Sequence, residues 1–191
     1  MALSAGQSIA ITGMNGSGKS TLLRIIAGVM TPTSGSVELM ANDCVVDEEL
    51  RPLHIGFVAP YLQLYEGLSL RENLRFVQHV RGRGGSGSDD VISNVVSRVK
   101  LDDRADEPVA TFSSGMKQRG RLAIALMADA QLLLLDEPST NLDADGVAIV
   151  LDVVKQQIAK GGAVVVATNS DAERDWCTRS ICIEDYLSTR K

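Results

Sequence analysis

The sequence predicts an α/β fold built on a largely parallel sheet. Short clusters of β-branched and apolar residues alternate along the chain with longer stretches of helical periodicity. Residues 132–135 are all leucine, and such an uninterrupted apolar run is typical of a strand that is buried on both faces. Together these two observations favour helices packed on both sides of a central sheet.

The predicted elements follow one another in a regular order. Strands are expected at residues 9–12, 36–40, 55–58, 132–135, 163–167 and 181–183. The clearest helices are expected at residues 19–27, 89–99, 116–127 and 144–160. From about residue 68 to residue 126 the strand pattern disappears, which predicts a helical lobe inserted into the core. We therefore expect one domain, 1–191, with an α/β core of about 1–67 and 127–191 and a lobe of about 68–126.

The composition limits the class of protein. The chain has 191 residues, of which 45% are hydrophobic, and this is enough for one compact core. Its formal net charge of -5 argues against nucleic acid as a partner, because such binding relies on clustered Lys and Arg. No apolar run approaches the ~20 residues that cross a bilayer, and the N-terminus lacks the pattern of a signal peptide. We therefore expect a cytoplasmic protein.

Three features that often mark chemistry are interpreted as structural. The cysteines Cys44, Cys177 and Cys182 are odd in number and form no C-x-x-C pair, so we expect buried, reduced thiols. Residues 82–88 are rich in glycine and serine, but no strand precedes them and no Lys-Ser pair follows, so we expect a flexible surface linker. His54 and His79 lie outside every motif and are expected to be surface or half-buried residues.

The strongest motif is a phosphate-binding loop between the first predicted strand and the first predicted helix. The eight residues from Gly13 match G-x-x-x-x-G-K-[ST] at every fixed position. Glycines in such a loop let backbone N–H groups converge on phosphate oxygens at the start of a helix. Lys19 is expected to contact the β- and γ-phosphates, and the Ser20 hydroxyl is expected to ligate Mg²⁺. The expected nucleotide-binding residues of this loop are Gly13, Asn15, Gly16, Ser17, Gly18, Lys19, Ser20 and Thr21.

Two adjacent carboxylates end the all-leucine strand. A buried parallel strand carries Asp136 to the carboxyl edge of the sheet, where ligands of open α/β sheets bind, and a carboxylate there can hold Mg²⁺ directly or through water. Glu137, one residue further on, can then position or deprotonate the water that attacks the γ-phosphate. A phosphate loop alone leaves kinases, GTPases and many ATPases open as classes of protein. The acidic pair fits nucleotide hydrolysis but does not identify a family.

Two further segments resemble the ABC ATPase family. Residues 112–119, FSSGMKQR, look like a variant of the family signature that is usually written LSGGQ, and residues 139–143, STNLD, are similar to the D-loop. The order of phosphate loop, helical lobe, signature, acidic pair and D-loop covers nearly the whole chain. The chain is therefore identified as a member of this family, which implies a P-loop NTPase with a mainly parallel RecA-like sheet core and an inserted helical lobe.

The resemblance also implies how the chain assembles. Ser113, Ser114 and Gly115 have the composition of a second anion cradle at a helix start, although a plain helix cap has the same sequence. In ABC ATPases this segment caps the γ-phosphate of ATP bound to a second cassette. The resemblance thus implies a homodimer or heterodimer of cassettes that sandwiches two ATP molecules, with Asp143 near the dimer axis. Residues 64–74 resemble the segment that docks on membrane partners, so we expect transmembrane permease subunits and a peripheral location on the inner face of the cell membrane.

The sequence departs from the family pattern at three places. Met1 stands only a few residues before the first strand, so the N-terminal stretch with the aromatic residue that usually stacks on adenine is absent from this sequence. We expect that either the chain is truncated or adenine is held poorly. Pro60 occupies the usual position of the Q-loop glutamine, and Gln63 is the expected substitute as a catalytic residue and Mg²⁺ ligand. Asn169 occupies the position of the switch histidine; its carboxamide can hydrogen-bond a phosphate oxygen but cannot carry a proton.

The sequence therefore predicts the ATP-hydrolysing subunit of an ABC transporter, with MgATP bound and Glu137, Asn169 and Gln63 as catalytic residues. The short chain is also similar to the ATPase of the bacterial haem exporter of cytochrome c maturation. One alternative is a catalytically weak cassette that uses ATP as a structural clamp, which the three departures favour. Another is a non-transport ABC ATPase of DNA repair or chromosome organisation, which the lack of sustained heptads and the negative charge disfavour.

Overall fold

Strands and helices alternate along the chain in the order that the hydrophobic pattern predicts. The structure, a computed structural model, describes residues 1–41, 44–82 and 88–187. Its strands are β1 (Ser8–Thr12), β2 (Met40–Ala41), β3 (Cys44–Val45), β4 (Ile55–Val58), β5 (Leu132–Asp136), β6 (Ala163–Ala167) and β7 (Arg179–Cys182). Its α-helices are α1 (Lys19–Ile26), α2 (Leu70–Val80), α3 (Ser88–Arg98), α4 (Ser114–Leu126), α5 (Ala144–Ala159), α6 (Asp171–Arg174) and α7 (Glu184–Leu187). Short 3₁₀ turns lie at Glu48–His54, Asp102–Arg104 and Val109–Thr111.

Five of the strands form one parallel sheet, which confirms the predicted fold class. The strand order is β4-β5-β6-β1-β7, and every neighbouring pair is parallel. Strand β5 lies between β4 and β6, and Leu132 pairs with Ile55 on one side and with Ala163 on the other. All five carboxyl ends therefore meet at one edge of the sheet, where ligands of open α/β sheets bind.

Alternate leucines of β5 enter two separate hydrophobic clusters, one on each face of the sheet. Leu132 and Leu134 pack with residues of β1 and α1 on one face. Leu133 and Leu135 pack on the other face with residues of α4, α5 and the helical segment. A strand whose side chains all find apolar neighbours has no need of alternating polar residues, which is why this one is a continuous leucine run.

Between β4 and β5, the elements of the described residues are helices and 3₁₀ turns, joined by one isolated bridge between Ser69 and Pro108. The inserted helical lobe stays a prediction. Helix α2, which the sequence pattern did not single out, begins with a reciprocal capping box in which Ser69 accepts from the Glu72 N–H and Glu72 accepts from the Ser69 N–H. Of the predicted linker 82–88, residues 83–87 lie outside the described residues.

Two sequence-based expectations are wrong. Of residues 36–40, only Met40 lies in a strand, and β2 pairs antiparallel with β3 as a separate two-stranded ribbon. Met40 is 62% exposed, so this ribbon has no core behind it to support a longer strand. Cys44 is exposed because it belongs to the same ribbon, whereas Cys177 and Cys182 are half-buried. Burial raises the pKa of Cys177 to about 11, so this thiol stays protonated at neutral pH, and all three cysteines are free.

The close approach of β4 to helix α4 gives a test of core packing. A Cβ atom added to Gly56 would lie 2.7 Å from the carbonyl oxygen of Ala125, a backbone atom that cannot turn away. We expect Gly56→Ala to lower the free energy of unfolding by about 1–3 kcal/mol, the usual cost of overpacking. Urea unfolding measures this change. The matched control is Gly67→Ala, where an added Cβ has no heavy atom within 4 Å; equal midpoints for the two variants would contradict the predicted contact.

Candidate functional site

Three loops meet at the carboxyl edge of the sheet because their strands are neighbours. The phosphate loop follows β1, Glu137 follows β5 directly, and Asn169 follows β6 by two residues. Strand β6 lies between the other two, so its loop can contact either of them. The structure thereby brings residues 13–20, 136–137 and 169 to the same edge.

The phosphate loop has the backbone of an anion cradle. Gly18 precedes α1 with φ of 103°, a left-handed conformation that other residues avoid. Gly13 also has a positive φ, of 148°, and a Cβ atom there would lie 2.5 Å from Glu184 Oε2. The hydroxyl of Ser17 is buried and has no partner among the described residues, so it is available to a ligand in the loop.

Lys19 is folded onto its own loop. The side chain is 5% exposed, and Nζ donates to the carbonyl oxygens of Gly13 at 2.7 Å and Met14 at 3.0 Å. Both acceptors are neutral, and the carboxyl groups of Asp136 and Glu184 act on the ammonium group through space without a hydrogen bond to it. A phosphate oxygen offers Nζ a charge-assisted hydrogen bond, which is stronger than a bond to a neutral carbonyl.

Asp136 ends β5 as a buried carboxylate, 2% exposed. Burial raises the pKa of Asp136 above its ordinary value, and a hydrogen bond from the Ser20 hydroxyl opposes that rise. The Oδ1 atom is buried and has no hydrogen-bond partner among the described residues. An orphaned carboxylate oxygen beside a hydroxyl suits a small divalent cation, which favours the ionised carboxylate and satisfies the free oxygen.

No group of three or more His, Cys, Asp or Glu residues that could hold a metal ion occurs in the part of the chain that the structure describes. Such a cluster is not needed for Mg²⁺ that is bound with a nucleotide. This ion keeps several waters and is usually held by one or two protein groups together with phosphate oxygens. Ser20 and Asp136 therefore fit the predicted ion.

Glu137 is half-buried and has a left-handed backbone with φ of 46°. Its N–H donates to the carbonyl oxygen of Ala167 at 2.9 Å, which fixes the residue against the end of β6. A non-glycine residue with positive φ costs free energy, and such residues cluster at functional sites. Packing thus holds the carboxylate-bearing residue at a defined place on the sheet edge.

Asn169 contacts the phosphate loop directly. Its Nδ2 donates to Asn15 Oδ1 at 3.1 Å. Both side chains are exposed at the sheet edge, and Thr21 in the first turn of α1 is exposed as well. The side chain at the predicted switch position is thus within reach of a group bound in the loop.

The signature residues lie at the start of helix α4, beside the D-loop. Ser113 is the N-cap of α4 and accepts a hydrogen bond from the Met116 N–H at 3.2 Å, so this hydroxyl does act as a helix cap. Ser113 and Ser114 are exposed. A Cβ atom on Gly115 would lie 3.0 Å from the carbonyl oxygen of Asn141, which places the signature against the D-loop.

Gln63 is exposed, and no hydrogen bond within the described ranges joins it to Ser20 or Asp136. Tyr61, two residues before Gln63, lies near Asp136. The Arg24 guanidinium is 4.1 Å from the centre of the Tyr61 ring. Arg24 in turn is one of the cations close to Asp136. The sequence motifs gave no indication of this Arg24–Tyr61 pair.

Glu184 is a further residue at the site that the sequence motifs did not indicate. Its Oε1 accepts from the Met14 N–H at 2.7 Å, and its Oε2 accepts from the thiol of Cys182 at 3.0 Å. These two hydrogen bonds, that from Cys182 first, lower the pKa of Glu184 below its ordinary value. Only the pairing of β7 with β1 indicates that this residue follows a strand next to the phosphate loop.

The sequence and the structure of this chain are each similar to those of known proteins, and the two comparisons agree. The family model described as ABC transporter matches residues 1–140. The chain is 35% identical over 169 residues, 88% of its length and 78% of the relative's, to the cytochrome c biogenesis ATP-binding export protein CcmA of Paramagnetospirillum magneticum. It is 33% identical to the lipoprotein-releasing system ATP-binding protein LolD 1 of Caulobacter vibrioides, covering 97% of this chain and 82% of that protein.

One further relative is much longer than this chain. The Nod factor export ATP-binding protein I of Sinorhizobium fredii is 29% identical over 184 residues, which are 96% of this chain but 54% of that protein. The chain thus spans about half the length of this relative.

In the part of the chain that the structure describes, no helix is both long enough and apolar enough to span a membrane.

Among solved structures, a dimeric post-hydrolysis state of the ATP-binding cassette MJ0796 bound to ADP and Pi matches with a TM-score of 0.84 and 26% identity, covering 95% of this chain and 83% of that one. A family model that matches 140 of the 191 residues, with relatives above 30% identity, decides the family. The chain belongs to the ABC transporter family, as an ATP-binding and ATP-hydrolysing cassette.

Proposed function

We propose that this chain binds MgATP at the sheet edge, dimerises over it with a second cassette, and drives separate membrane-spanning subunits by hydrolysis. The observation that carries the proposal is the meeting of the Gly13 loop with Asp136, whose free carboxylate oxygen lies buried beside Ser20. A loop built for phosphate and an acidic group suited to Mg²⁺ adjoin at the place where α/β sheets bind ligands.

Each group of the site has a role that its geometry supports. Lys19 exchanges two neutral carbonyl acceptors for phosphate oxygens, and the N–H groups at the start of α1 cradle the same phosphates. Ser20 and Asp136 hold Mg²⁺, which neutralises negative charge on the phosphates when it is bound. Glu137 orients the attacking water and accepts its proton, while Asn169 donates a hydrogen bond to the γ-phosphate.

The exposed signature supports dimerisation. Ser113 and Ser114 stand at the N-terminus of α4 with their side chains exposed, and the positive end of a helix dipole favours an anion there. Because the contacts of Gly115 go to the D-loop of its own chain, the cradle remains open to the nucleotide of a partner. The dimeric cassette MJ0796 is a solved structure similar to this chain, with 26% identity.

An exposed aromatic patch on the helical segment supports docking to membrane-spanning subunits. Tyr65 and Phe76 are 57% and 47% exposed, yet they contact each other edge to face with ring centres 5.3 Å apart. Val80, one helical turn after Phe76, is 64% exposed. Adjacent exposed apolar side chains are typical of a protein interface. The proposed location is therefore the inner face of the cell membrane, through partner subunits.

For the cargo, we propose haem export in cytochrome c biogenesis. The 35% identity to CcmA over 88% of the chain supports this choice. Relatives named for Nod factor export and lipoprotein release are 29% and 33% identical, and a cassette does not itself contact cargo. Loss of c-type cytochromes in a deletion strain, restored by the wild-type chain, tests the proposal; normal cytochromes in that strain contradict it.

Glu137→Gln should bind ATP but not turn it over, because the amide keeps the size of the carboxylate and loses its basicity. We expect an ATP-dependent dimer in gel filtration. Adding Ser114→Arg should abolish that dimer, since the longer side chain fills the proposed cradle, whereas adding Ser34→Arg, in an exposed loop, should not. A dimer that forms without ATP, or that tolerates Ser114→Arg, contradicts the proposed sandwich.

Asn169→Ala should slow turnover about 30- to 1000-fold, because it removes one hydrogen bond of ~2–4 kcal/mol to the highly charged transition state. Asn169→His should keep turnover and add a rate dependence with a midpoint near pH 6.5, the ordinary pKa of imidazole. Steady-state ATP hydrolysis from about pH 5.5 to 8.5 brackets that pKa and measures both effects. The control is Asn94→Ala, an exposed asparagine on α3. If Asn169→Ala turns over like this control, Asn169 is not the switch residue.

A further inference from the structure

A short stretch after β6 contacts both the phosphate loop and the D-loop. We call residues 168–174 the switch segment. At its start Asn169 bonds to Asn15, and the Ser170 N–H donates to Thr168 Oγ1 at 2.9 Å. Its last turn is helix α6, which contains Glu173.

Glu173 is a carboxylate with almost no access to water, 3% exposed. Its Oε1 accepts hydrogen bonds from both the N–H of Ser139, at 2.8 Å, and the Ser139 hydroxyl. Burying a carboxylate costs free energy unless strong donors satisfy it, and bonds to an ionised acceptor are the strong ones. The fold thus keeps a costly group at this place, and both donors come from one residue 34 positions away in sequence.

Ser139 lies between the acidic pair and the signature contact. Two residues before it, the N–H of Glu137 donates to Ala167, immediately before the switch segment. Two residues after it, Asn141 carries the carbonyl oxygen that approaches Gly115. The Glu173–Ser139 contact therefore connects the segment that touches the phosphate loop with the segment that touches the signature.

We propose that Glu173 is a positioning residue, which holds Ser139 so that the phosphate loop and the D-loop change together. The inference rests on the proposed hydrolysis and dimerisation. Occupation of the loop shifts Asn169, and the buried contact transmits this shift to the backbone that carries Glu137. Physical contiguity alone does not demonstrate coupling, so the contact must be tested by measuring the coupling itself.

Glu173→Gln keeps the shape of the side chain and weakens its hydrogen bonds. We expect kcat to fall about 10- to 100-fold, as the loss of one charge-assisted hydrogen bond allows, with KM for ATP within about twofold of wild type. Ser139→Ala removes the hydroxyl donor alone, so its decrease in kcat should be smaller. The double variant Ser139→Ala/Glu173→Gln should be no slower than Glu173→Gln, because both changes act on one contact. The control is Glu38→Gln, the same chemical change at an exposed glutamate outside the switch segment, which should leave kcat unchanged.

The single tryptophan of the chain gives a readout that a merely structural role does not move. The backbone N–H of Trp176 donates to the carbonyl oxygen of Glu173 at 3.1 Å, and the half-buried indole packs against the core two residues after α6. Its emission therefore reports on this end of the switch segment. We expect MgATP to change Trp176 fluorescence in the wild type and in Glu38→Gln, and not in Glu173→Gln. Unfolding in urea establishes that each variant is folded, and Ser139→Ala keeps the test available if Glu173→Gln does not fold.

Two results overturn the inference while leaving the proposed function intact. One is a wild type that hydrolyses ATP together with a Glu173→Gln variant whose kcat and Trp176 response are unchanged. The other is a double variant whose loss in kcat, expressed as a free energy, equals the sum of the losses in the two single variants. A wild type that binds and hydrolyses no ATP overturns the proposed function and this inference with it.

Discussion

Burial of β5 on both faces of the sheet is the constraint on which the nucleotide site depends. Four leucines divide between two hydrophobic clusters, and this fixes the register of the strand because a slip of one residue would exchange the faces. The same register fixes Asp136 at the end of the strand, buried beside the first turn of α1. The position of the acidic group is therefore a consequence of core packing, and the loop after β1 is brought to it by the strand order.

The groups that the site holds in costly states are the groups that a nucleotide would relieve. Asp136 has a buried oxygen without a partner, Ser17 has a buried hydroxyl without a partner within the described residues, and Glu137 has a left-handed backbone. Each of these costs stability, which the two-sided core offsets. In the proposed complex, phosphates and Mg²⁺ would satisfy the first two, so that folding prepares the site and binding completes it. Glu173 extends the same logic to the D-loop, where a buried carboxyl group is kept for its contact with Ser139.

The sequence could predict what is local and could not predict what depends on distant pairing. The phosphate loop, the all-leucine strand and Asp136 follow from short patterns whose backbone requirements are met within a few residues. The strand expected at 36–40 is wrong because a strand needs a hydrogen-bonded neighbour along its length, and of these residues Met40 is the one that pairs, in a short ribbon with exposed side chains. Glu184 reaches the phosphate loop across 170 positions and Glu173 reaches Ser139 across 34, so no motif spacing could reveal either contact.

A crystal structure of the chain with Mg²⁺ and a non-hydrolysable ATP analogue tests the central claim most directly. We expect Lys19 Nζ to leave the carbonyl oxygens of Gly13 and Met14, which it contacts at 2.7 and 3.0 Å, and to bond to phosphate oxygens instead. We also expect Mg²⁺ at the Ser20 hydroxyl, with Asp136 bound to the ion directly or through water. An analogue bound elsewhere, or bound while Lys19 remains on its own loop and no ion lies beside Asp136, would rule out the proposed site.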